Sequence, residues 1–259
     1  MKLRTAFGCL LAIVGTCTLA SAQSPFVGTW KLNQAKSHLT GDTVTYSKSA
    51  GGTMKETTAV GSYTFKTDGH PYKTPFDSTV TWKQTGPESW TTEDRLKDRL
   101  LSTDIMRVSD DGKTMTVIST GTNPNGRDFH ETEVFTRTAG TSGLMGTWKS
   151  EKMKSSTSPV MEFAGNGEDG IAWILPEIKA KLDLTFDGKD VAPVGPTVPP
   201  GLTISATKNN ARSFSFVEKM NGKPIVRGTM MVSHDGKTLT NTSSATKEQS
   251  KRTAVYDKQ

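Results

Sequence analysis

Few residues in this chain have the types and spacing that catalysis or metal binding requires. Zinc sites and metalloproteases use histidine pairs such as H-x-H or H-E-x-x-H. The four histidines form no such pair: they are His38, His70, His130 and His234. Asp110-Asp111 precedes a glycine and indicates a turn, and no serine lies in a Gly-x-Ser-x-Gly motif. We therefore expect no catalytic residues, no metal site and no cofactor.

Ligand binding is the chemistry that the large apolar side chains could support instead. Binding pockets are concave, mostly apolar and lined by aromatic residues. The candidates lie on segments that alternate polar and apolar residues, so one face of each segment is expected to be buried. The predicted ligand contacts are Trp82, Trp90, Trp173, Met106 and Met230.

The first 22 residues have the features of an export signal. Lys2 and Arg4 are followed by the apolar stretch 6–14 and by the small-residue cleavage site Ala20-Ser21-Ala22. This order of charged, apolar and small residues is typical of a secretory signal peptide. The apolar stretch is too short for a membrane span. We expect residues 1–22 to be removed and the mature protein to lie in a bacterial periplasm or in the extracellular medium, without a transmembrane segment.

Cysteine usage and charge exclude several function classes. Cys9 and Cys17 both lie in the predicted signal, so thiolate catalysis and thiolate metal sites are not expected in the mature chain. Loss of Lys2 and Arg4 lowers the formal net charge from +6 to +4. The lysines are dispersed and do not form a basic stripe interleaved with aromatic residues, which argues against nucleic-acid binding.

The chain contains an internal duplication. Gly28-Thr29-Trp30-Lys31 returns as Gly146-Thr147-Trp148-Lys149, and the segment 108–114 returns in similar form as 232–238. Because the similar segments keep their order, we predict two copies of one unit within the usual size range of domains.

The local pattern of each copy is typical of strands. Thr79-Val80-Thr81-Trp82 alternates polar and apolar residues, and Asp111-Gly112 and Asp235-Gly236 favour tight hairpins. The segment 93–101 is rich in helix formers, but its aligned counterpart contains Asn-Gly and Pro, so we predict a strand, a turn and a strand there. The fold class predicted is all-β, with two tandem small antiparallel barrels of about eight strands each.

The repeats predict the domain limits. We expect a signal peptide at 1–22, a first barrel at 23–138, a linker at 139–143 and a second barrel at 144–259. The proline-rich segment 191–201 is predicted to be a long loop at one barrel mouth, because proline cannot donate to a strand ladder.

The two copies differ in their aromatic residues. Trp82 aligns with Ala206, and Trp90 aligns with Phe214. Because a tryptophan in one copy aligns with an alanine in the other, we predict that the two barrels have unequal interior volumes. Simple repacking between two filled cores is the alternative.

The opening Pro25-Phe26-Val27-Gly28-Thr29-Trp30-Lys31-Leu32-Asn33, with Ala35-Lys36-Ser37 and the later Asp-Gly-Lys-Thr turn, resembles a group of exported bacterial proteins of unassigned function. The Gly-x-Trp opening of each repeat is also similar to the first strand of lipocalins and other calycins. The first resemblance covers nearly the whole mature chain, and the second rests on one tripeptide in each repeat.

The lipocalin resemblance implies a role for two tryptophans and two basic residues. In that family the tryptophan closes the barrel floor and a basic residue of the last strand packs over it. Trp30 and Trp148 match the tryptophan, while Arg137 and Lys258 occupy the position after the closing aromatic strand. The shorter units and the absence of the disulfide common in lipocalins depart from the family and argue against a roomy cavity.

These observations leave three functions open. The first is an exported, non-catalytic protein that binds a small apolar or amphipathic ligand in a barrel. The second is a structural or protein-interaction module of the cell envelope, with filled cores. The third is an enzyme with a site at the seam between the repeats, formed by two carboxylates or by a carboxylate and His130.

Overall fold

The computed structural model describes residues 24–140, 142–167, 169–247 and 250–259. The predicted signal peptide lies outside these residues. Within them the protein is all-β, as predicted, with short 3-10 turns at Gln34–Lys36 and Ala50–Gly52. In chain order the strands are β1 (Gly28–Leu32), β2 (Thr43–Lys48), β3 (Met54–Thr58), β4 (Gly61–Phe65), β5 (Asp68–Lys73), β6 (Thr79–Gly86), β7 (Ser89–Leu96), β8 (Arg99–Val108), β9 (Thr114–Thr122), β10 (Asp128–Ala139), β11 (Gly146–Ser155), β12 (Val160–Asn166), β13 (Gly170–Leu175), β14 (Ala180–Thr185), β15 (Leu202–Asn210), β16 (Ser213–Met220), β17 (Lys223–Val232), β18 (Thr238–Ala245) and β19 (Arg252–Lys258).

The strands form two nearly closed antiparallel sheets with matching order. One, called here the ten-stranded barrel, has the order β4-β3-β2-β11-β10-β9-β8-β7-β6-β5. The other, the nine-stranded barrel, has the order β14-β13-β12-β1-β19-β18-β17-β16-β15. Each strand of the nine-stranded barrel has a counterpart in the ten-stranded barrel, and β5 is the additional strand. The segment 93–101 contains the end of β7, a turn and the start of β8, as predicted.

The two Gly-x-Trp strands are exchanged between the repeats. In β1, Trp30 lies opposite Met161 of β12 and Lys258 of β19. In β11, Trp148 lies opposite Val44 of β2 and Arg137 of β10. Each opening strand therefore completes the barrel formed mainly by the other repeat.

Sheet membership thus departs from the predicted ranges 23–138 and 144–259. The physical reason is the short connection between β10 and β11. Ala139, placed in the linker, belongs to β10, and the chain turns through Gly140 and Gly143, both with positive φ. Consecutive antiparallel strands joined by so short a turn pair with each other. Since β11 fills the place beside β10, the equivalent strand β1 is left to fill the matching place beside β19.

Each barrel core is built around one repeated tryptophan, and both indoles are fully buried. Trp30 Nε1 donates to the Phe26 carbonyl at 2.7 Å, and Trp148 Nε1 donates to the Leu144 carbonyl at 2.9 Å. Satisfying the indole N–H lets so large a ring pack in an apolar core without an unpaired donor.

A basic side chain covers each of these rings. The Arg137 guanidinium carbon lies 3.9 Å from the ring centroid of Trp148, and the Lys258 ammonium lies 5.0 Å from that of Trp30. Both distances suit cation–π attraction. Because of the strand exchange, each basic residue covers the tryptophan of the other repeat.

The proline-rich segment 191–201 is not only a loop at a barrel mouth. Lys181 in β14 forms an isolated bridge with Val194, and Ile204 in β15 forms one with Val191. The segment therefore crosses the gap between the two edge strands of the nine-stranded barrel. The residues between its prolines supply the backbone donors for these two bridges. The segment thus covers the edges of β14 and β15, which would otherwise be exposed.

Candidate ligand-binding site

A cavity of about 430 Å³ lies inside the ten-stranded barrel. This volume is within the range of small-molecule pockets. Its apolar wall includes Val44, Val80, Trp82, Met106, Met115, Val117 and Phe135. Its polar lining includes Tyr46, Glu56, Tyr63, Thr92, Asp94, Asp104 and Glu133. Ala245 and Arg252, from the nine-stranded barrel, also line it.

Stacked aromatic rings hold the apolar wall in place. The Trp82 indole stacks on Phe65 with ring centroids 4.2 Å apart and planes 20° apart. Tyr46 meets the same indole edge-on at 5.8 Å. Rings fixed from two sides present a rigid apolar surface, which a bound molecule could contact with little loss of side-chain entropy.

A chain of hydrogen bonds links this wall to a buried carboxyl group. Trp82 Nε1 donates to the Tyr63 hydroxyl at 3.1 Å, and that hydroxyl donates to Glu56 Oε2 at 2.8 Å. Burial raises the pKa of Glu56 to about 6, although hydrogen bonds from Tyr63 and Tyr46 lower it. Burial and the nearby Glu56 carboxylate raise the pKa of both tyrosines. At neutral pH the tyrosines are therefore donors and Glu56 is a charged acceptor.

Two more carboxyl groups reach the cavity from neighbouring strands. Burial raises the pKa of Asp94 in β7 and of Asp104 in β8, while nearby serine hydroxyls lower it. Thr92 Oγ1 donates to Asp104 Oδ2 at 3.3 Å. Within the described chain, Oδ1 of Asp94 and Oδ1 of Asp104 are buried and have no hydrogen-bond partner. Buried acceptors are normally satisfied, so each of these carboxyl groups keeps one acceptor atom that lacks a hydrogen-bond donor in the described part of the chain.

A further acidic group and an arginine complete the lining. The Ser150 hydroxyl donates to Glu133 Oε1, and Arg252 forms an ion pair with Asp42. Burial raises the pKa of Glu133, whereas the Ser150 hydrogen bond and the Arg252 charge lower it. Arg252 lies at the start of β19, so the nine-stranded barrel supplies a charged residue to the cavity of its neighbour.

The interior of the nine-stranded barrel is packed with rings at the equivalent positions. Strand register aligns the pair Tyr46 and Glu56 with the pair Phe163 and Trp173. The Trp173 ring lies 5.7 Å from Phe163 and 6.0 Å from Phe216, measured between ring centroids. Aromatic side chains here replace the hydroxyl and carboxyl groups that line the cavity of the ten-stranded barrel.

A second pair of positions shows the same difference. Thr92 lies opposite Asp104 in the ten-stranded barrel, and their counterparts Phe216 and Gly228 lie opposite each other in the nine-stranded barrel. A Cβ atom on Gly228 would lie 2.3 Å from Cζ of Phe216. Gly228 is therefore required for the Phe216 ring to occupy this space.

The difference between Trp82 and its counterpart Ala206 is compensated on the neighbouring strand. Trp82 lies opposite Thr92, and the aligned Ala206 lies opposite Phe216. The large ring thus belongs to one strand in one barrel and to the neighbouring strand in the other. The smaller residue at position 206 does not mark an open interior, because Phe216 fills the space.

The structure divides the five predicted ligand contacts between the two barrels. Trp82 and Met106 line the cavity. Trp90 is buried in the core of the same barrel, outside the cavity lining. Trp173 and Met230 are buried in the packed core of the nine-stranded barrel.

The acidic residues of the cavity were missed by sequence reasoning. Their signal is the strand period. Asp94 is an even number of residues from the buried Trp90 and Leu96, and Asp104 is an even number of residues from the buried Met106 and Val108. A period of two places both aspartates on the inner face. Carboxyl groups in phase with the core residues of a strand are therefore the sequence signal of this acidic lining.

The seam between the barrels contains a separate cavity of about 380 Å³, whose lining includes His38, Glu131 and Glu151. Glu131 accepts a hydrogen bond from the Ser155 hydroxyl at 2.9 Å, and Glu151 lies 3.5 Å from the Lys149 ammonium. His130 is exposed and lies outside this lining. Both carboxylates in the lining of this cavity have partners on nearby residues.

In the described ranges, no three His, Cys, Asp or Glu side chains are grouped closely enough to hold a metal ion. No helix in that part of the chain is long and apolar enough to cross a membrane. Comparison of the chain with protein-family models, with curated proteins and with solved structures finds no match.

Proposed function

We propose that this protein is exported and binds a small amphipathic molecule in the cavity of the ten-stranded barrel. The observation that carries the proposal is the cavity itself, which combines an apolar wall at Trp82 with a few converging polar groups. This combination is typical of binding pockets. The signal-like segment 1–22 supports export, and the resemblance to lipocalins agrees with binding inside a barrel.

The nine-stranded barrel serves mainly as a scaffold in this proposal. Its interior is occupied by packed rings, while its residues Ala245 and Arg252 lie at the cavity of the other barrel. We therefore expect one ligand per chain, although the sequence contains two repeats.

Tryptophan fluorescence and thermal unfolding test the proposal. Titration with a panel of neutral, cationic and anionic amphiphiles should change the emission and raise Tm for at least one class, because a ligand that binds only the folded state stabilises it. The emission change should be largely lost in Trp82→Phe. It should persist in Trp173→Phe, a matched control in the packed barrel.

A cavity-filling substitution provides a second readout. Val117→Phe places a ring in the cavity lining and should abolish binding, whereas Ile105→Phe, at an exposed position in β8, should not. A flat response of the unmodified protein to every class would contradict the proposal. Such a result would favour the envelope interaction module, for which the packed nine-stranded barrel is the supporting observation.

A further inference from the structure

The cavity of the ten-stranded barrel is acidic. Glu56, Asp94 and Asp104 reach it from β3, β7 and β8, and each is close enough to influence the ionisation of another. Arg252 is the sole lysine or arginine among the described residues of the lining, and it is paired with Asp42. A bound cation would therefore meet several carboxylates without a competing positive charge inside the barrel.

Two of these carboxylates have unsatisfied acceptor atoms. Oδ1 of Asp94 and Oδ1 of Asp104 are buried without a hydrogen-bond partner in the described chain. Leaving a buried acceptor unpaired destabilises the folded state. Rotation of either carboxyl group toward an N–H donor in the cavity would remove this penalty, so these side chains favour a ligand that donates hydrogen bonds.

The acidic groups are not needed to build the fold. The nine-stranded barrel has the same strand order, but it carries Trp173 and Gly228 where the ten-stranded barrel has Glu56 and Asp104. It retains a single acidic counterpart, Glu218, at the position of Asp94. The carboxylates of the ten-stranded barrel therefore serve something other than barrel formation.

We propose that the ligand is an organic ammonium ion with an apolar body, held with its ammonium group among Glu56, Asp94 and Asp104 and its body against Trp82 and Met106. An ammonium group has three donors and no acceptor, and charge-assisted hydrogen bonds to carboxylates are stronger than neutral ones. This inference rests on the function proposed above, because it specifies the ligand of the same cavity.

Three ligands of equal chain length test the inference on the full chain: octylamine, octanol and octanoate, followed by isothermal titration calorimetry at pH 8. Octylamine should bind at least about tenfold more tightly than octanol, and octanoate should bind most weakly. Binding of octanol at least as tight as that of octylamine would overturn this inference while leaving the proposed function intact. Failure of all three ligands, together with the rest of the amphiphile panel, would overturn both.

Isosteric variants test which carboxylates bind the ammonium group. Asp94→Asn and Asp104→Asn should each weaken octylamine binding by about tenfold and leave octanol binding unchanged. The matched control is Glu218→Gln, the equivalent of Asp94 in the packed barrel, and it should change neither affinity. Far-ultraviolet circular dichroism and Tm verify that each variant is folded.

Three other results would contradict the proposed recognition of an ammonium ion by these carboxylates. Tightest binding by octanoate would mean that the carboxyl groups act as protonated donors. Binding of calcium chloride alone that is lost in Asp94→Asn and that blocks octylamine would mean that the site serves an inorganic cation. Octylamine binding that is equal in Asp94→Asn, Asp104→Asn and the unmodified protein would exclude these carboxylates as the recognition element.

Discussion

Glu56 illustrates how one buried carboxyl group affects both stability and binding. Its ordinary pKa is 4.5, and burial raises it to about 6 in the folded protein. A raised folded-state pKa means that the contribution of Glu56 to stability is fully present below pH 4.5 and is lost as the pH rises through about 6. The barrel therefore holds Glu56 charged at neutral pH at a cost to its own stability.

Replacing this residue should reveal that cost. We expect Glu56→Gln to increase the free energy of unfolding by up to about 2 kcal/mol at pH 8 and to have little effect at pH 4, since each unit of pKa shift corresponds to about 1.4 kcal/mol. Urea unfolding at the two pH values measures the difference. The exposed Glu151→Gln serves as the control, and an equal effect of Glu56→Gln at both pH values would contradict the expectation.

Ionisation of Glu56 should also affect binding of an ammonium ligand. The charged carboxylate lowers the stability of the barrel, but it should increase the affinity for the ligand. The groups that face Glu56 are Tyr46, Tyr63, Asp94 and Asp104, and the tyrosines remain neutral over this range. We expect octylamine affinity to rise between pH 5 and pH 7.5, because Glu56 loses its proton near pH 6 while an alkylamine stays protonated to about pH 10. Calorimetric titrations across this range measure the change, and octanol affinity should stay constant.

Gly228 is a residue whose lack of a side chain determines packing. A methyl group there would overlap the Phe216 ring. Gly228→Ala should lower the free energy of unfolding by about 1–3 kcal/mol, as expected for overpacking of a filled core. Gly165→Ala, in β12, where nothing lies within 4 Å of the added Cβ, should be close to neutral in the same denaturation experiment.

The inner-face residues of one strand pair contribute much of the difference between the two barrel interiors. The strand pair β7 and β8 carries Thr92 and Asp104, while the equivalent pair β16 and β17 carries Phe216 and Gly228. The backbone pairing is the same in both barrels, so the inner-face side chains account for the difference in the interior. A change at three positions should transfer the packing of this part of the nine-stranded barrel to the ten-stranded barrel.

The triple variant Trp82→Ala, Thr92→Phe and Asp104→Gly transfers this packing to the ten-stranded barrel. We expect it to fold and to lose ligand binding, because the ring at position 92 would fill the space. Thr92→Phe alone should be destabilised by about 1–3 kcal/mol, since Trp82 still occupies the opposing position. Thermal unfolding and calorimetric titration together distinguish a filled barrel from a misfolded one.

The connection between β10 and β11 depends on Arg137 as well as on its glycines. The Arg137 guanidinium donates to the carbonyls of Gly112, Gly143 and Met145 at 2.5–2.6 Å and covers the Trp148 ring. We expect Arg137→Ala to lower the free energy of unfolding by about 2–4 kcal/mol, because three carbonyls lose a charged donor. Lys258→Ala, which removes chiefly a cation–π contact, should cost under about 1 kcal/mol. Comparable losses in the two variants, measured by urea unfolding, would contradict this account.

For the whole molecule, the main difference between sequence and structure is the exchange of β1 and β11. The repeat of Gly-Thr-Trp-Lys predicted two barrels, and both tryptophans do lie in barrel cores. It could not predict which barrel each strand joins, because strands of the same sequence fit either place. The choice depends on the short turn between β10 and β11, which makes β11 pair with β10 and leaves β1 to pair with β19.

The candidate site was predictable only in part, for a similar reason. Trp82 and Met106 were found from alternation and from the unequal tryptophans. Glu56 and Tyr63 could not be matched with their counterparts, because the repeats are too dissimilar in β3 and β4 to be aligned by sequence. Strand register made that comparison possible, since Glu56 and Trp173 occupy the same place between equivalent neighbours.

The exchange predicts how the chain divides into stable parts. Residues 43–155 contain all ten strands of one sheet, so this fragment should give a cooperative thermal transition and a dispersed amide spectrum. The fragment 23–138 lacks Trp148 and must recruit β1 in its place. We expect it to be less stable than 43–155, and chemical denaturation of the two fragments checks this order. Equal stability would mean that the two opening strands are interchangeable.

The same topology determines the order in which the two barrels can form, because the chain is synthesised from its N-terminus. The ten-stranded barrel can close once the chain as far as Ser155 is available, about a hundred residues before the start of β19 at Arg252. The strand at Gly28–Leu32 is made before all of these, yet its second neighbour, Arg252–Lys258, is made last. The strand at Gly28–Leu32 must therefore wait until Arg252–Lys258 has been made before it can be paired on both sides, so the nine-stranded barrel closes after its neighbour.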